Sequence, residues 1–258
     1  MIQDLLLVSS ISLFASFLTF FSGFGLGTLL TPFFYLIFKD ITLAIASTAV
    51  VHLLNNLFKF LLLRKSIRFD IALKFGIPAI FAAIGGAFLL KNLNDISLYS
   101  YTLGSKEFTI SAIKLALSIP LIFFSAIELV PGFKLNFKKS FLPVGGLISG
   151  FFGGLTGHQG ALRTAFLLKY NLPKEVFIAT GVVIATMIDI PRIFVYYEEI
   201  VRFDLNENFV LILSCVLSAF SGAIIGKLLL KKITLEKVHL IVGVCMIIFS
   251  VALGMGLI

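Results

Sequence analysis

From Leu5 onward the chain is a series of apolar runs, most of them longer than the ~20 residues a helix needs to cross a hydrocarbon layer. Where no water is at hand, each backbone N–H and C=O must be satisfied within the protein, which leaves helices and closed barrels as spanning structures. The runs lack the ten-residue alternation of barrel strands, so an all-α, polytopic integral membrane protein in contact with the lipid bilayer is expected. Composition agrees: 59% of the 258 residues are hydrophobic and 13% are charged, against an apolar share of ~45–50% in soluble domains. A formal net charge of +8 would point to nucleic acid in a soluble protein. Here the Lys and Arg residues fall in short clusters between apolar runs, as topology signals do, and no nucleic-acid partner is expected. Cys215 and Cys245 lie singly within apolar runs, without ligand spacing or a disulfide pattern. Asp4 stands where a signal peptide would carry positive charge, so the first run reads as mature protein.

The runs form two similar sets within one membrane domain, residues 1–132 and 133–258. Leu5 to Phe38 is about twice the length of one crossing and is broken by Ser22, Gly23, Gly25 and Gly27, with Pro32 beyond. Crossings are expected at Ile41–Leu63, Ile71–Leu90 and Phe108–Val130, with a polar loop from Lys91 to Lys106. The pattern then returns with a broken segment from Phe141 to Leu168 and crossings at Val176–Tyr197, Phe209–Leu230 and Val238 to the C-terminus. An offset of about 133 positions places Gly27 on Gly160, Thr31 on Thr164, Asn56 on Asp189 and Lys59 on Arg192. With small shifts in loop length, Ile67-Arg68-Phe69-Asp70 meets Val201-Arg202-Phe203-Asp204.

Charge orients the halves. The connector from Arg64 to Lys74 holds four basic residues and one acid, and its counterpart from Glu198 to Glu207 holds four acids and one base. The positive-inside rule makes the basic connectors cytoplasmic and puts the 198–207 connector and the C-terminus outside the cell membrane. Equivalent connectors on opposite faces mean two inverted-topology repeats, each a broken or re-entrant helical hairpin followed by three transmembrane helices.

The run GFFGGLTGHQGALRTAFLL (150–168) with NLPKEVFIATGVV (171–183), and SGFGLGTLLTPFF (22–34) with ITLAIASTAVV (41–51), resemble the TauE/SafE family of sulfite exporter-like membrane proteins, also called the toluene sulfonate uptake permease group. The likeness covers essentially the whole chain, although the first half has Phe24 and Leu26 between its glycines. It implies a secondary transporter with two related halves that moves small sulfur-containing anions, such as sulfite, sulfonates or related organic anions.

The residues themselves offer donors suited to an anion. In the second broken segment these are the backbone N–H groups of Gly157, His158, Gln159 and Gly160, the Gln159 amide, the Thr164 hydroxyl and the planar cation of Arg163. In the first they are Gly25, Gly27, Thr28 and Thr31, with back-bonding to the helix as the plainer reading of any one hydroxyl. Asp189 and Arg192 share a helix face deep in a crossing and form either a structural ion pair or a site of coupling and charge balance, with Asn56 in the matching place. A coupling proton on Asp189 belongs to the second reading. Lys59, Lys114 and Lys227 are expected to snorkel to the surface, and His52 reads as a satisfied core residue. His158 invites either proton coupling or neutral donation, and His239 is given no role.

The expected function is a secondary transporter working by alternating access to a midplane site between the two broken segments. An anion channel and a carrier for non-sulfur carboxylates are the alternatives. An intramembrane enzyme using His158 and Asp189 ranks last, because the chain carries no nucleophile-elbow, zinc-protease or Walker motif and implies no cofactor or metal.

Overall fold

The computed structural model of the protein describes residues 2–21, 26–93, 96–129, 137–202, 205–229 and 235–258. Within them the side chains at 2, 4, 21, 28, 127, 128, 202, 205–207, 235–239, 241 and 242 are not described. The order of elements is α1 (Ile2–Phe21), α2 (Leu26–Phe38), α3 (Ile41–Leu63), α4 (Phe69–Asn92), β1 (Ser97–Leu103), β2 (Lys106–Ser111), α5 (Ala112–Leu129), α6 (Leu142–Thr156), α7 (Gly160–Leu167), α8 (Lys174–Val195), α9 (Tyr197–Arg202), α10 (Leu205–Leu229) and α11 (Leu235–Gly254). Among the described residues four helical stretches are long and apolar enough to cross a membrane: Ile41–Ser66, Phe69–Asn92, Lys174–Val195 and Asn208–Leu229. The protein is thus an all-helical membrane protein apart from one small hairpin of strands.

That hairpin corrects the polar loop expected over Lys91–Lys106 and the crossing expected from Phe108. Strands β1 and β2 pair antiparallel through Tyr101↔Phe108 and Leu103↔Lys106. Gly104, at φ 65°, supplies the left-handed residue of their two-residue turn. Aromatic and β-branched residues favour the extended form here, and Tyr99, Tyr101 and Phe108 stack in a row. The helix that follows therefore begins at Ala112.

The closest helix seam is made by glycine. Gly146, Gly150 and Gly154 recur every four residues along one face of α6, and a Cβ at each would strike the backbone of Phe75, Ala79 and Ala83 of α4 in turn. Gly86 of α4 meets the backbone of Phe151 in the same way. The two helices run parallel, with backbones close enough for dispersion to replace the hydrophobic drive that lipid does not supply. A second parallel pair joins α1 to α10, where Gly222 lies against the Leu13 carbonyl and Ser12 Oγ donates to the Cys215 carbonyl at 2.6 Å. By contrast α3 and α8 run antiparallel, since Ile45 meets Arg192 while Arg68 N–H donates to Thr180 Oγ1 at 3.1 Å. Helices α5 and α11 are antiparallel too, with Leu129 on Gly243 and Ser118 on Gly254.

The second broken segment turns back on itself. Gly157 adopts φ 78° and ends α6, its N–H donating to the Gly153 carbonyl at 3.0 Å. Helix α7 then returns: Phe166 packs on Gly145 and stacks on Phe137 at 4.0 Å, and Tyr170 Oη donates to the Lys139 carbonyl at 3.4 Å. The 15 residues of α6 reach about 22 Å at ~1.5 Å per residue, short of the ~30 Å hydrocarbon core. The turn of the first broken segment, residues 22–25, lies outside the described residues.

A leucine at Gly150 should separate α4 from α6 and destabilise the protein by about 1–3 kcal/mol, as overpacking does. Gly85→Leu, where an added Cβ meets nothing within 4 Å, should leave the melting temperature in detergent near that of wild type. Thermal unfolding of the two variants side by side checks the seam.

Candidate anion site

Cations of two different elements converge on one interior cavity. It has a volume of about 40 Å³ and is lined by Thr19 and Phe20 of α1, Leu26 of α2, His52, Asn56 and Lys59 of α3, Arg163 and Thr164 of α7, and the Phe177–Ala185 stretch of α8. Lys59 does not snorkel. It is 4% exposed, its ammonium stands 5.5 Å from the Phe20 ring centre, and the Asn55 carbonyl oxygen accepts from its Nζ at 3.2 Å in the amide orientation that satisfies both ends. Arg163 reaches the cavity across Gly181, where a Cβ would lie 3.2 Å from its Nε. Among the described residues, neither cation has a carboxylate in ion-pair contact. The hydroxyl oxygens of Thr19 and Thr164 are buried without a hydrogen-bond partner.

Behind this cavity sits a packed polar cluster centred on Asp189, which is fully buried. His52 Nδ1 lies 2.6 Å from Asp189 Oδ2, and Asn56 Nδ2 donates to the same oxygen at 3.1 Å. Gln159 Nε2 donates to Oδ1 at 3.4 Å, and Arg192 Nη1 stands 3.8 Å from Oδ1. Arg192 is itself fully buried, donates through Nη2 to the Ile45 carbonyl at 3.3 Å, and faces the Tyr196 ring at 5.9 Å. Tyr196 Oη in turn donates to the Gly154 carbonyl at 3.3 Å. The positive-φ turn at Gly157 is what admits Arg192, because a Cβ there would approach its Nη1 to 3.2 Å. His52 and Asn56 belong to both the cluster and the cavity wall.

The chain matches the family described as sulfite exporter TauE/SafE over residues 8–253. It belongs to that family. No curated protein and no solved structure matches the chain. For a TauE/SafE protein, membership means transport of sulfur anions across a membrane rather than catalysis.

Within this TauE/SafE chain the residues expected to bind substrate fall into separate places. Arg163 and Thr164 line the cavity, and Asn56 joins them. Gly157 lies against Arg192, and Gln159 binds Asp189 while its carbonyl accepts from Ser149 Oγ at 2.9 Å. His158 is turned to its own loop: its Nδ1 is 3.1 Å from the Thr156 carbonyl, and its Nε2 is buried without a partner. Gly160 opens α7 and is buried. On the first half, Gly27 packs against Thr48 and His52, and Thr31 back-bonds to the Gly27 carbonyl at 2.8 Å. Gly25 and the Thr28 side chain lie outside the described residues. Lys227 reaches the Leu62 carbonyl at 3.0 Å from an exposed position, and Lys114 the Thr109 carbonyl at 3.5 Å. Sequence reasoning missed Thr19, which carried no signal beyond being a hydroxyl in an apolar run. It misjudged Lys59, although the 133-residue offset already paired it with Arg192.

Removing the carboxylate with Asp189→Ala strands Arg192 in the interior and should cost about 3–5 kcal/mol, as breaking a buried ion pair does. The pair of changes Asp189→Asn with Arg192→Gln should cost less than Asp189→Ala alone. Chemical denaturation of these variants in detergent checks the coupling.

Proposed function

We propose that this TauE/SafE protein carries a compact sulfur oxyanion such as sulfite, seated between Lys59 and Arg163 with Thr19, Thr164, Asn56 and His52 around it. The observation that carries this reading is the convergence of two cations, unpaired with carboxylate among the described residues, on one interior cavity. An uncompensated buried charge costs several kcal/mol, and in a membrane core it marks a substrate or ion path. A bound anion offsets that cost, and the orphan hydroxyls supply donors. The cavity of about 40 Å³ holds about three water-sized atoms at ~10–15 Å³ each, which suits an inorganic oxyanion better than an aromatic sulfonate.

Alternating access between two inverted repeats is the transport mode we infer. Four observations support it. Asn56 and Asp189, equivalent under the 133-residue offset, touch each other at 3.1 Å, as residues on a two-fold axis do. Arg192 meets Ile45, and its counterpart Lys59 lines the cavity with Ile178, the counterpart of Ile45. The parallel pairing of α4 with α6 is matched by that of α10 with α1. Finally, equivalent helices α3 and α8 run in opposite directions. Under the same offset the cavity corresponds to the packed cluster of Gln159, Asp189, Arg192 and Thr31, so one side is open where its counterpart is closed. Rocking of the halves would exchange the two, with the basic Arg64–Lys74 connector on the cytoplasmic face and the acidic connector outside.

Sulfite should raise the melting temperature of wild type in detergent, by an amount corresponding to about 2.7 kcal/mol at a hundredfold excess over Kd. Lys59→Gln and Arg163→Gln should each abolish that shift while leaving the empty protein as stable as wild type or more so, because each relieves repulsion between the two cations. Gln159→Ala should keep the response. Lys59→Gln and Arg163→Gln variants that respond as wild type does would move the site elsewhere.

A further inference from the structure

The interior charges around the cavity do not balance. Lys59, Arg163 and Arg192 bring three cations, and Asp189 brings one carboxylate. In the empty protein a further positive charge at this place is opposed by the surplus. A bound dianion cancels that surplus and removes the opposition. Among the described side chains that line the cavity and also touch Asp189, His52 carries an imidazole, the group that serves proteins as a proton site. Its ring lines the cavity, and its Nδ1 is 2.6 Å from Asp189 Oδ2.

We propose that the His52–Asp189 pair is a proton site linked to anion binding, so that a proton enters the protein with each dianion and leaves with it. This rests on the anion site proposed above. The proton comes from water on the open side of the cavity. It adds to Nε2 of a neutral His52, which lies 3.4 Å from Asn56 Nδ2 and gives up that contact, while the Nδ1–H faces Asp189, and the result is an imidazolium held against the carboxylate. Nothing else changes hands: the anion contributes no proton, and no electron moves. When the anion leaves, three cations again surround the site and the proton returns to water. Asn56 fixes the geometry, its Nδ2 lying 3.1 Å from Asp189 Oδ2 and 3.2 Å from His52 Nδ1.

The groups facing this pair come from every packed element. From α3 they are Asn56 and Lys59, and from α7 Arg163. Gln159 comes from the turn before α7, with His158 beside it and turned to Thr156. From α8 they are Arg192 and, behind it, Tyr196. From α4 the neighbouring contacts are apolar, Gly76 against Met187, with Asp70 and Lys74 near its exposed start. Beyond Asn55, α1 and α10 present Ser16 and the Ala219 carbonyl, and Cys215 is tied to Ser12. Lys59, buried beside Arg163 in the same cavity, is the other group that could take up a proton with the anion, and the His52→Gln variant separates its contribution from that of the pair.

The test uses purified full-length protein in weak buffer with thiosulfate or sulfate, dianions that keep their charge between pH 6 and 8, as about neutral conditions require. A pH indicator reads proton uptake on mixing, and calorimetry reads affinity against pH. The expected result for wild type is uptake approaching one proton per anion, with affinity falling by up to tenfold for each unit of rising pH. His52→Gln, which keeps a neutral polar group at the cavity wall, should bind the anion more weakly than wild type, with no uptake and no pH dependence, folding being checked by a monodisperse elution profile. Binding without proton uptake in wild type overturns the linkage and leaves the anion site standing. So does uptake that persists in His52→Gln. Anion binding that Lys59→Gln leaves intact overturns the site, and no binding of sulfite, thiosulfate or sulfate by wild type overturns both.

Discussion

The carboxylate of Asp189 gathers side chains from separate parts of the fold. It is reached by His52 and Asn56 from α3, by Gln159 from the turn before α7, and by Arg192 on its own helix. Burying a carboxylate is costly unless it is paired and hydrogen-bonded, so each of these partners must be delivered by backbone geometry. The broken segment delivers Gln159, because α6 stops at a left-handed glycine and α7 starts again after two residues. Gly157 also leaves the gap into which the Arg192 guanidinium fits. Arg192, in turn, reaches across to the Ile45 carbonyl and ties α8 to the start of α3.

The glycine seam serves the same end. Because α6 lies backbone to backbone on α4, the turn that follows is held at a fixed depth rather than left to slide. Tyr196 reinforces this by bonding the Gly154 carbonyl on α6 from the far end of α8. A rigid support on one side and a small cavity on the other give the site its asymmetry. The cluster around Asp189 is packed closed, with Gln159 Oε1 and Arg192 Nε and Nη1 left without a hydrogen-bond partner, whereas Lys59 and Arg163 face the cavity together with the unpartnered hydroxyls of Thr19 and Thr164.

Much of this was legible in the sequence, for physical reasons. Apolar length fixes helices, and the glycine and proline breaks mark where they stop. The reversal at Gly157 follows from the spacing of glycines and from the shortness of the apolar stretch that remains. Asp189 and Arg192 stood out because a charge that deep must have a partner, but their partners came from α3 and the α6–α7 turn, and periodicity within one helix says nothing of them. Lys59 was misread as a surface lysine because distance from a helix end is a poor guide when another helix, here α1 with Phe20, covers that end. The β1–β2 hairpin was missed since its few aromatic and β-branched residues abut the apolar run of α5 and merge with it. His52 was recognised as a core residue, and its tie to Asp189, 137 positions away, lies beyond any local pattern.

The seat of the anion is the claim on which the rest of the account turns, and selenite, the heavier counterpart of sulfite, can locate it directly. Crystals grown with selenite and measured at the selenium absorption edge should show one anomalous peak in the cavity, between Lys59 Nζ and the Arg163 guanidinium and within hydrogen-bonding reach of Thr164. A peak at the Gly157–Gly160 turn with the cavity empty of selenium would contradict the account and return the site to the backbone donors of the broken helix.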